Sequence, residues 1–138
     1  MMNGSYRFVD VKAFKGKGAA HAARGWAKDA ASRLCEAHEA MKELKEESKR
    51  VEGRLFALEV YRRSRAGETT VRWRWNTGAH CTWQAVEPHV RALPASMRQY
   101  YADVQRRVCV LNAIEGVTRT ELHRAEALVQ TLTEMSVG

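Results

Sequence analysis

The sequence predicts an α+β fold: a long N-terminal helix, an antiparallel β-hairpin, then two or three helices that form an antiparallel pair with the first. Three observations carry it. Apolar residues recur at alternating steps of four and three from Ala19 to about Arg50. The period then changes to two between Phe56 and Trp75. The four-three stepping returns after Pro94. With 138 residues the chain suits one domain, placed at 19–138 behind a flexible basic arm at 1–18. A domain near this size hides roughly 70% of its unfolded surface, so it needs no covalent staples.

In the arm, Tyr6 to Val11 has the composition of a short strand. Lys12, Lys15 and Lys17 with Gly16 and Gly18 form a basic, glycine-flanked loop. In the first helix Ala23, Ala27, Ala30, Leu34, Ala37, Met41, Leu44 and Ser48 lie on one stripe, small at first and bulkier later. Its other face mixes Lys and Glu and is expected to be solvated.

Phe56, Leu58 and Val60 alternate with polar or small residues, as do Val71, Trp73 and Trp75. Two strands joined through Ser64–Glu68 follow, with Gly67 in the loop. Their pairing places the six residues just named on a buried face and Tyr61, Arg63, Arg72 and Arg74 on the other. Trp73 and Trp75 then fill the core; if they faced solvent instead, they would offer stacking surfaces for bases.

Asn76 to Cys81 reads as a turn. Thr82 is a helix cap for a segment ending near Ala92, and Pro94 suits the first position of the next helix. Met97, Tyr101, Val104, Val108 and Leu111 continue the stripe, followed by Leu122, Ala125, Val129 and Leu132. Gly116 and the capping-box form Thr118-Arg119-Thr120-Glu121 leave two alternatives. The helix stops near Glu115 and restarts at Arg119, or it passes through with a bend.

Net charge is +7 and the isoelectric point about 9.7. Arginine dominates, and its planar fork suits phosphate and carboxylate. Residues 1–28 carry six basic and one acidic side chain, and residues 54–76 six against two. Residues 29–53 between them lean acidic, and the rest balance. Such segregation favours a polyanionic partner. Arg62, Arg63, Arg65, Arg72 and Arg74 are the candidate nucleic-acid-binding residues, with Lys12, Lys15 and Lys17 as a second contact through the arm. Binding through these groups would be salt-dependent and largely independent of base sequence. The alternative is a protein-interaction module, an inhibitor or adaptor docking on an acidic partner. The helical stripes equally suit a homodimer interface.

Other chemistry is not encoded. Gly16-Lys17-Gly18 lacks the spacing of a phosphate-binding P-loop, and no nucleophile-elbow, zincin or dinucleotide signature occurs. Cys35, His38, His80 and Cys81 match no zinc-finger spacing. The odd count of three cysteines gives no disulfide framework, and Cys35 and Cys109 are expected to be small buried hydrophobes. No catalytic residue, metal or cofactor is expected. With no apolar run of the ~20 residues that span a bilayer and no signal-peptide core, a cytoplasmic protein with reduced thiols is expected.

Phe14-Lys15-Gly16-Lys17-Gly18, Val71-Arg72-Trp73-Arg74 and Val110-Leu111-Asn112, with the helical tail to Glu134, together resemble an uncharacterised protein family encoded on bacterial integrating conjugative elements. The resemblance spans about residues 14–134, and the chain departs from the family pattern around Gly116. It implies a bacterial cytoplasm and a setting among genes that move, maintain or protect mobile DNA. It implies no established activity.

Overall fold

In the computed structural model, which describes residues 11–15, 18–63 and 67–137, the two expected stripes become two long helices. A 3-10 turn, Val11–Phe14, precedes α1, Ala19–Lys49. Then follow β1 (Phe56–Arg62), β2 (Thr69–Trp75), β3 (His80–Cys81), α2 (Trp83–Arg91) and α3 (Ala95–Val137). The strands form one antiparallel sheet in the order β1-β2-β3. The short strand expected at Tyr6–Val11 lies outside the described residues except for Val11, which opens the 3-10 turn.

The chain divides into two compact units. One is His38–Glu115; the other consists of the described parts of Met1–Ala37 and Gly116–Gly138.

The His38–Glu115 unit holds the apolar core. The register sets Phe56 opposite Trp75, Leu58 opposite Trp73 and Val60 opposite Val71. Side chains two apart on a strand share a face, so these six form the inner face. Phe56, Leu58, Val71 and Trp73 are buried against Met41 and Leu44 of α1, Val86 and Val90 of α2, and Tyr101, Val104, Val108 and Leu111 of α3. Val60 and Trp75 are partly buried. Trp73 settles the choice left open at its position: its ring is enclosed and its indole N–H donates to Gln105 Oε1 at 2.8 Å. The helices run antiparallel here, since His38 meets Glu115 while Glu47 meets Tyr100 and Arg107.

Side chains close the sheet edges. Ser48 Oγ accepts the N–H of Leu58 on the free edge of β1. On β2 the two-residue β3 covers only Trp73 and Arg74. Asn112 takes over beyond it, accepting from Val71 N at 2.8 Å and donating to Val71 O at 3.1 Å. Buried Glu115 accepts the next edge amide, Thr69 N, at 2.8 Å, and faces His38 Nε2 at 3.1 Å. Unpaired strand groups would be costly here.

The second unit has a different interior. Its buried stripe on α1 is mostly alanine, Ala23, Ala30 and Ala37 with Leu34, and Ala125 answers from α3. Small side chains leave room for a polar group, and Arg33 occupies it. Its guanidinium pairs with Asp29 at 3.0 Å and with Glu121 at 2.6 Å, and Trp26 donates to the same Glu121 carboxylate. Burial disfavours the Arg33 charge, but the bonds to Glu121 and Asp29 outweigh it and raise the net pKa.

Two expectations need adjustment, and one open alternative is decided. Thr82 caps α2 as read, its hydroxyl accepting from Ala85 N, but α3 begins one residue after Pro94, whose carbonyl accepts from Met97 and Arg98. The capping-box form is not used: α3 runs unbroken through Gly116, Thr118 is buried, and the Thr120 hydroxyl bonds back to Gly116 O. Cys35 and Cys109 are exposed, because Leu34 and Val108, one helical position away, take the inward direction. No helix among the described residues is long and apolar enough to cross a membrane.

Candidate nucleic-acid interface

The outer face of the sheet follows from the same register. Glu59 stands opposite Arg72, Tyr61 opposite Thr70, Ala57 opposite Arg74, and Arg74 opposite His80 of β3. Alternation therefore turns Glu59, Tyr61, Arg72, Arg74 and His80 to the side away from the core.

Each of these groups is held in place. The Arg72 guanidinium lies 4.5 Å from the centre of the Tyr61 ring, within the range of a cation–π contact. Tyr61 meets His80 edge-on at 5.8 Å. Arg74 Nε donates to Gly78 O at 2.7 Å, so the β2–β3 turn anchors the side chain. Gly78 has φ of 105°, a left-handed conformation that suits glycine at this tight turn. Arg63 lies just past β1, exposed; its N–H bonds to Glu68 O and its carbonyl accepts from Gly67 N, closing the hairpin loop.

Glu59 sits in the middle of this face and organises its charge. Lys45 Nζ approaches it at 2.7 Å and Lys49 Nζ at 3.2 Å, both from α1; Arg74 Nη1 stands at 3.9 Å. Burial pushes the Glu59 carboxyl up, but hydrogen bonds from Lys45 and Lys49 pull it further down, so the net shift is below the ordinary carboxylate range. One carboxylate thus faces three cations, Lys45, Lys49 and Arg74, with Arg72 at the cross-strand position, and positive charge is left in excess.

The candidate residues separate accordingly. Arg72 and Arg74 are exposed on the outer side of the hairpin, and Arg63 is exposed just past the end of β1. Arg62 is exposed too, but it shares the alternation of Phe56, Leu58 and Val60 and leaves the strand toward the core side at its open end. Lys12 and Lys15 are exposed on and beside the 3-10 turn, which belongs to the other unit. Arg65 and Lys17 lie outside the described residues. Lys45 and Lys49 were missed, because they sit in a stretch whose net charge is acidic. Their spacing was the available signal: two lysines four apart share one helix face in the last two turns before a short connection to β1.

Among the described residues no three His, Cys, Asp or Glu side chains gather as a metal-binding set. No protein-family model, no curated protein and no solved structure matches the chain.

Proposed function

We propose that this chain is an accessory nucleic-acid-binding protein of a bacterial mobile element and that it contacts phosphates through the outer face of its arginine-rich hairpin. The observation that carries this reading is the cation cluster around Glu59. Arg72 and Arg74 extend from one strand, Lys45 and Lys49 flank the neighbouring strand, and Arg63 continues the row, with a single carboxylate among them. Spacing along a strand is about 6.6 Å between residues two apart, close to the separation of successive phosphates in an extended single strand. Arg72 keeps an exposed guanidinium edge while its face rests on Tyr61. Contacts of this kind neutralise backbone charge without reading bases. The mobile-element setting rests on the family resemblance alone.

Fluorescence anisotropy with labelled single- and double-stranded oligonucleotides at low salt tests the proposal. Saturable binding that polyglutamate of equal charge competes for poorly supports it. No binding to either form of DNA or to RNA removes it. Equal competition by polyglutamate turns the reading toward an acidic protein partner.

A further inference from the structure

On the His38–Glu115 unit, away from the outer sheet face, the end of α1, the turn into β1, the end of α2 and the start of α3 enclose a cleft of about 680 Å³. That is within the roughly 300–1,000 Å³ usual for small-ligand sites. Its walls are largely apolar: Val51, Leu55, Phe56, Leu93 and Met97, with the Tyr101 ring at the base. Leu55 is 57% exposed, a large apolar side chain held at the mouth with little to cover it.

Two polar groups of the cleft lack protein partners. Arg54 Nε is buried and makes no hydrogen bond. Tyr101 is 2% exposed, packs its ring on Phe56 at 5.1 Å, and its hydroxyl bonds to no described residue. Burial pushes the Tyr101 phenol up while the nearby Arg54 charge acts in the opposite direction, which places the two groups within electrostatic reach. Arg54 Nε is the buried donor of the pair, and a buried donor without a partner is destabilising until an acceptor arrives.

The other charges at the rim do not supply that acceptor. Glu47 is engaged by Arg107 at 3.0 Å and by the Tyr100 hydroxyl at 3.2 Å. Glu52 is exposed, as is His89, which stacks edge-on against Trp75, and Arg50 adds a second cation. An apolar cleft lined by a guanidinium with an unsatisfied donor and by a phenol hydroxyl complements an anion with an apolar body.

We propose that this cleft binds a small amphipathic carboxylate, its acid group on Arg54 and Tyr101 and its hydrocarbon or aromatic body along Phe56, Leu93 and Met97. Arg63, Arg72 and Arg74 do not line the cleft, whereas Arg54 also borders the depression formed by Lys49, Glu59 and Arg74, so the test reads carboxylate binding directly and not nucleic-acid affinity.

Calorimetric titration of the full chain with decanoate and with decanol, which share a body and differ in the head group, tests it. Decanoate is expected to bind about tenfold or more tightly than decanol, the gain of a charge-assisted hydrogen-bonded pair. Arg54→Gln is expected to bring decanoate down to the decanol level and leave decanol unchanged. Leu93→Trp, which fills the cleft, is expected to weaken both. Equal affinities for the two compounds, absence of decanoate binding, or a decanoate affinity that Arg54→Gln leaves unchanged would overturn the proposal. The comparison of the two compounds on the unaltered chain stands even if a variant misfolds.

Discussion

At the residue scale, single polar side chains do work that no hydrophobic pattern announces. Asn112 replaces a missing strand partner for Val71, giving and receiving one hydrogen bond. Asn112→Ala would leave an amide and a carbonyl of a buried residue unpaired, so a loss of about 2 kcal/mol is expected in urea unfolding. A smaller loss than an exposed Ala substitution causes would mean that water fills the role. Tyr100 gives a pH-dependent case. Burial first, then the charge and hydrogen bond of Glu47, push its phenol up to about 12 from an ordinary 10. The folded chain thus holds this proton more tightly than the unfolded one. The contribution is complete below pH 10 and is lost as pH rises toward 12. Chemical unfolding across that window should show a decline that Tyr100→Phe reduces.

The element scale shows what was legible and what was not. Helix and strand periods carried the fold because burial depends on spacing. The stripe from Ala23 to Ser48 faces inward except at half-buried Ala27, and the inner sheet face is the one alternation gives. Thr82 was legible as a cap because a hydroxyl before an apolar run has few other uses. The capping-box form at Thr118 left a break and a continuous helix both open because the same residue types fit a continuous helix, where hydroxyls bond back to the preceding turn. Thr118 and Glu115 are both buried in the continuous helix, and burial of that kind is not written in local spacing. Of the site, Arg72 and Arg74 were legible from alternation; Lys45 and Lys49 were hidden by a regional charge average. Continuity of α3 has a direct check. A Cβ at Gly116 would meet nothing within 4 Å, so Gly116→Ala should raise stability by about 0.5–1 kcal/mol. Gly53, at φ of 70°, ends the turn between α1 and β1, and Gly53→Ala should lower stability by about 1–2 kcal/mol. Thermal unfolding of the two variants should move in opposite directions. A broken helix at residue 116 would remove the gain.

At the scale of the whole molecule, a net charge of +7 resolves into a local structure. The hairpin presents Arg72 and Arg74 outward with Arg63 exposed just past β1, α1 adds Lys45 and Lys49, and Glu59 holds Lys45, Lys49 and Arg74 near it without neutralising the group. Polyanion binding through this face depends on that surplus. If about four cations reach phosphates, the logarithm of the binding constant should fall with the logarithm of salt concentration at a slope of about −2.8 to −3.6, at ~0.7–0.9 per phosphate. The most direct measurement is this slope for the unaltered chain and for Arg72→Gln/Arg74→Gln, with unfolding curves confirming that both are folded. The double variant should bind more weakly at every salt concentration, with its slope shallower by about 1.4 to 1.8. An unchanged slope and affinity would show that these guanidinium groups do not meet phosphate, and would contradict the account.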